Sequence, residues 1–66
     1  MRLRLKTAIW ETGKSQRQIA AAAAIPENRL STIVNGWAKP RQAEREAIAR
    51  AVTRSARELF VDETPV

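Results

Sequence analysis

Residues 15–36 read SQRQIAAAAAIPENRLSTIVNG, and the fold turns on where that stretch breaks. Ser15 followed by Gln18 is a capping box, in which each side chain satisfies the other residue's backbone amide. It opens a helix through Ile19 and Ala20 to about Ala23. Pro26 and Glu27 open the next, since proline is pre-set for a helix's first turn and an acid there complements the helix dipole. That helix runs to Val34 or Asn35, and Asn35-Gly36 ends it. Ile19, Ala23, Ile25, Leu30 and Ile33 fall on the inner side. The run Ala20–Ala24 reads as a close crossing of two helices combined with high helix propensity. Only Ala20 and Ala23 need to pack tightly.

Two short helices joined by a tight turn around Ala23–Ile25 make a helix-turn-helix unit. In that arrangement the second helix, about residues 26–35, enters the major groove of DNA. Between its buried positions lie Glu27, Asn28, Arg29, Ser31 and Thr32, all polar, which form its outward face.

The flanking sequence continues in the same style. Glycine and proline are sparse, alanine, arginine, glutamate and glutamine are good helix formers, and strand-like alternation is confined to Arg2–Lys6. The chain is therefore expected to be all-α. A first helix spans about Leu3–Thr12, with Leu5, Ala8, Ile9 and Thr12 as its inner stripe and Gly13 as its stop. Trp37–Lys39 form a loop. A fourth helix begins near Pro40 or Arg41 and ends near Ala51 or Val52, with Ala47, Ile48, Ala51 and Val52 inward. A short fifth helix is capped by Ser55 and carries Leu59 and Phe60. The polar residues 62–66 form a frayed tail.

The 66 residues carry 12 Lys+Arg against 7 Asp+Glu, a formal charge of +5, with no cysteine and no histidine. A chain of this length holds one small domain. The composition removes disulfides, thiolate or imidazole metal sites, thiol nucleophiles and imidazole bases. Paired carboxylates and a phosphate-cradling glycine loop are also missing, so an enzyme is not expected, and neither a cofactor nor a small-molecule ligand. The longest apolar run, Ile19–Pro26, is far too short to span a bilayer, and the N-terminus lacks a signal-peptide stretch, so a cytoplasmic chain without a membrane role is expected. The charge is uneven. Residues 1–43 hold eight bases and two acids, a net +6, whereas residues 44–66 net −1. The basic segment contains the helix-turn-helix unit, which favours a polyanionic partner.

The stretches SQRQIAAAAAIPENRLSTIVNG, then KP, EREAIARAV and SARELF, resemble the Cro and phage-repressor class of helix-turn-helix regulators, also called the xenobiotic-response-element type. The resemblance covers roughly residues 3–61. It implies a compact five-helix domain of the lambda-repressor-like type over residues 1–61, binding double-stranded DNA as a homodimer on a palindromic operator, most often to repress transcription. Two departures stand out. The family's turn glycine is replaced by Ala24, which must accept a left-handed backbone at a cost of about 1 kcal/mol or force the turn to adjust. The family's buried arginine–glutamate pair is replaced by Ile9 and Val34, which are expected to touch.

The resemblance also distributes roles. Glu27, Asn28 and Thr32 match the base-reading positions, with Ser31 beside them. Asn28 has the chemistry to hold adenine, and Glu27 to accept from cytosine. Arg29 reaches either a guanine or a phosphate. Gln16 meets a phosphate at the start of the second helix, with Arg17 nearby and Lys14 as a weaker candidate. Asn35, Lys39 and Arg41 face the opposite backbone from the loop. Arg2, Arg4 and Lys6 offer a basic N-terminal arm. Other readings remain for several positions. Glu27 can serve only the helix dipole. Trp37 reads more readily as a lid on a small core than as a stacking platform. Trp10 either caps the core or lies in an interface. Leu59, Phe60 and Val61 close the core or form a dimer patch. The rival to DNA binding is a protein-interaction module that keeps the fold, suggested by Glu27 and the missing turn glycine. A membrane-surface peptide would leave the capped helices beyond Gly13 unexplained.

Overall fold

The computed structural model describes residues 1–60, and all its regular structure is helical. The elements are α1 (Leu3–Glu11), α2 (Gln16–Ala23), α3 (Glu27–Val34), α4 (Gln42–Val52) and α5 (Ala56–Leu59). The expected tail at 62–66, and Val61, lie outside the described residues.

One hydrophobic core joins all five helices. Leu5, Ala8 and Ile9 enter from α1, Ile19, Ala20 and Ala23 from α2, and Leu30, Ile33 and Val34 from α3. Ile48, Ala49 and Val52 of α4 and Leu59 with Phe60 of the last turn complete it. Burying each large apolar side chain contributes roughly 1.5–3 kcal/mol, which offsets the entropy of ordering so short a chain. Ile9 and Val34 both lie in this one core, and α1 packs on α3. Ile25 is only half-buried, at the margin.

The start of α2 obeys the sequence. Ser15 Oγ accepts from the Gln18 amide at 3.1 Å, and Gln18 Oε1 accepts from the Ser15 amide at 2.8 Å. Helix ends follow a common device. Gly13, Ala24, Gly36 and Thr53 all take the left-handed backbone, at φ of 74°, 59°, 80° and 60°. After α2, α3 and α4 the next amide turns back to a carbonyl five residues earlier: Ile25 to Ala20, Trp37 to Thr32 and Arg54 to Ala49, each at 3.0 Å. This is the Schellman closure, which satisfies carbonyls the helix leaves open. After α1 the Thr12 hydroxyl takes over the job. It donates to Ile9 O at 2.6 Å and accepts from the Lys14 amide at 3.0 Å. Thr12 is thus half-buried and serves the helix end, not the inner stripe.

Several expectations are corrected. In α4, Ala49 is buried with Ile48 and Val52, while Ala47 and Ala51 only flank the core. The helix packs against both α2 and α5, which rotates its inner stripe toward Ala49. Arg45 shares that side, and its Nη1 donates to Pro40 O at 3.1 Å. Ser55 stands at the N-cap of α5 and its carbonyl accepts from the Leu59 amide at 3.1 Å, but its hydroxyl makes no capping bond. The N-terminal residues form no loose arm. Arg4 and Lys6 belong to α1, while the Arg2 amide donates to Val34 O at 2.9 Å and its guanidinium to Ile33 O. Arg2 therefore caps the C-terminus of α3, where a cation is favoured by the dipole.

Candidate nucleic-acid interface

The α3 backbone sets which side chains look outward. At about 100° per residue, Leu30, Ile33 and Val34 define the buried side, and Asn28 and Thr32 stand nearest the centre of the opposite side, with the C-cap Asn35 beside them. Ser31 and, further round, Glu27 lie on one flank. This outer face is short, polar and, apart from Glu27, uncharged. Such groups suit hydrogen bonding to base edges, whereas cations suit phosphates.

Local bonds order several of these groups. Thr32 Oγ1 donates to Asn28 O at 2.8 Å, and Asn35 Nδ2 donates to Ser31 O at 2.9 Å. Asn28 Oδ1 accepts from the Arg29 amide at 2.9 Å, which leaves its amide nitrogen directed away from that bond. Glu27 sits exposed in the first turn of α3, where its charge complements the dipole.

Arg29 falls on the flank of α3 and is held by the protein itself. Its Nε donates to Glu44 Oε2 and its Nη2 to Glu44 Oε1, both at 2.9 Å, and Nη2 also approaches Lys39 O at 3.3 Å. A two-pronged ion pair thus joins α3 to α4 through Arg29. The Arg29 guanidinium hydrogen-bonds Glu44 and holds its carboxyl down at about 2, with the Arg41 amide helping. The same bond raises the arginine.

The phosphate candidates divide between two places. Gln16 and Arg17 begin α2, where Ser15 satisfies Gln18 and the first two amides have no acceptor within the helix. Arg17 and Lys14 are exposed, and Gln16 is half-buried. Lys39 and Arg41 lie exposed in the loop after α3, and Asn35 is half-buried at the helix end. The cations thus precede and follow the neutral helix rather than decorating it.

The aromatic expectations fare differently. Trp37 is 80% exposed, so it lids nothing, and Trp10 is equally exposed. Leu59 and Phe60 are 3% and 2% exposed, so they close the core and offer no patch to a partner. Among the described residues no helix is long and apolar enough to cross a membrane. One contributor is missed by the sequence: Glu44, which reads only as part of a helix. An acid fifteen residues from its partner has no local signature.

Comparison with protein-family models, with curated proteins and with solved structures finds no match.

Proposed function

We propose that this chain is a sequence-specific double-stranded DNA-binding regulator of the Cro and phage-repressor kind, with α3 in the major groove. The observation that carries the reading is the outer face of α3, whose Asn28, Ser31, Thr32 and Asn35 are neutral hydrogen-bonding groups on a helix whose apolar residues are all buried. The left-handed turn at Ala24 between α2 and α3 and the burial of the small Ala20 support the helix-turn-helix arrangement. The net +6 of residues 1–43 supports a polyanion. Asn28 and Thr32 read bases, while Lys14, Gln16, Arg17, Lys39 and Arg41 hold phosphates. Arg29 is a positioning residue in this reading. The protein acts as a dimer on an inverted repeat and represses by occupying the site. Leu59 and Phe60 are buried, so a dimer must use another surface.

The test is selection from a random pool of short duplexes followed by sequencing of the bound fraction. Two inverted half-sites about 10 base pairs apart, centre to centre, are the expected result. Retention without any enriched sequence contradicts base reading. A second reading, a protein-interaction module, is favoured by Leu3 and Trp10, which are 67% and 80% exposed on one side of α1. It predicts no retained duplex at low salt.

A further inference from the structure

The loop between α3 and α4 shows an alternation that a connection does not need. Trp37, Lys39 and Arg41 are exposed, whereas Ala38 is half-buried and Pro40 buried. Every second side chain therefore stands on the outer side, as in an extended strand. The exposed set consists of an indole N–H, an ammonium and a guanidinium, which donate hydrogen bonds and accept none. No acid lies between Asn35 and Ala43, and the next one, Glu44, is already bound to Arg29.

The loop is held in this form by one backbone bond and by the side chains of Arg29, Arg45 and Glu44. The Trp37 amide donates to Thr32 O at 3.0 Å, Arg29 approaches Lys39 O at 3.3 Å, and Arg45 donates to Pro40 O at 3.1 Å. The Arg41 amide donates to Glu44 Oε1 at 2.8 Å, the same oxygen that accepts from Arg29 Nη2. Three consecutive loop residues, 39 to 41, are each anchored through a backbone atom. Glu44 lies at the centre of the anchoring, because it holds Arg41 directly and Lys39 through Arg29.

We propose that Trp37, Lys39 and Arg41 form one preorganised surface for the sugar–phosphate backbone beside the groove that α3 enters, and that Glu44 and Arg29 are the positioning residues that hold it. The inference rests on the DNA-binding reading and adds to it the indole and the ion pair. A donor-only face with an aromatic ring matches a strand whose phosphates accept and whose sugars present apolar edges. Ordering such a loop in advance removes an entropic cost from binding.

The test uses the full chain carrying W10F, which leaves Trp37 as its single tryptophan. DNA binding is followed by anisotropy of a labelled duplex and by Trp37 emission. E44Q and R29K are compared with it, after circular dichroism has verified helix content. Neither variant removes a positive charge, and E44Q makes the protein more basic, so charge alone predicts equal or tighter binding. The proposal predicts the reverse: affinity about tenfold weaker in both, as for displaced phosphate contacts, with the emission change on binding diminished. Trp37 emission in the parent should shift with the same midpoint as the anisotropy. A parent that binds duplex with silent Trp37 emission, or variants that bind as tightly as the parent, overturn this inference and leave the DNA-binding reading standing. A parent that binds no duplex overturns both. An emission shift with polyglutamate but not with duplex overturns the inference in favour of an acidic protein partner.

Discussion

Arg29 on α3 and Glu44 on α4 meet in a two-pronged ion pair, with Nε–Oε2 and Nη2–Oε1 both at 2.9 Å. The pair joins the outward-facing helix to the loop that follows it. Because Arg29 holds the Glu44 carboxyl down at about 2, against an ordinary 4.5, the folded state binds its proton later than the unfolded chain does. The stabilisation is therefore complete above about pH 4.5 and is lost as pH falls toward 2. Thermal unfolding of the protein and of E44Q, measured from pH 2 to 7, should give melting temperatures that differ at neutral pH and converge at the acid end. A constant difference across that range would contradict the assignment.

Two helix ends carry side chains where glycine would be unstrained. Ala24 and Thr53 both have φ near +60°, and Thr53 is β-branched, which makes its left-handed backbone the costlier. A24G and T53G should each raise stability by about 1 kcal/mol, a rise of about 4–8 °C in melting temperature for a domain of this size. T53G should give the larger gain. A fall in melting temperature for both would place the strain elsewhere.

The proposed base reading and phosphate holding are separable by substitution. N28A should cost about 1–3 kcal/mol on the preferred duplex and little on other sequences, since it removes a contact to a base edge. K39A should weaken all duplexes alike and reduce the slope of log affinity against log salt by about one per protomer, hence about two for the dimer. Equal losses for N28A on preferred and scrambled duplexes would remove Asn28 from the reading face.

Much of this molecule is legible in its sequence, and the gaps have physical causes. The capping box at Ser15 and Gln18 and the stops at Gly13 and Gly36 are local chemistry, so they stand where the spacing puts them. The left-handed backbone at Ala24 is foreseeable only from the turn glycine of the regulators that the sequence resembles. That at Thr53 is not, because threonine carries no left-handed preference to signal it. The phase of α4 is not legible, because alanine occupies positions 43, 47, 49 and 51, and a stripe of identical small residues gives periodicity no contrast. Of the candidate interface, the neutral outer residues of α3 follow from helical geometry once Leu30 and Ile33 are buried. The fate of Arg29 depends on an acid brought close only by the packing of α4, and the exposure of Trp37 on a loop set by Arg29, Arg45 and Glu44.

The central claim is that the basic, helix-turn-helix-bearing part of the chain binds duplex DNA through phosphates and reads it through α3. Fluorescence anisotropy of the protein with its selected duplex, at about 50 and 200 mM salt, tests it most directly. Lys14, Arg17, Lys39 and Arg41, doubled in a dimer, predict an affinity loss of about 10³–10⁵-fold between those salts, with the selected duplex bound more tightly than a scrambled one at both. Affinity indifferent to salt, or no binding at the lower salt, would contradict the account.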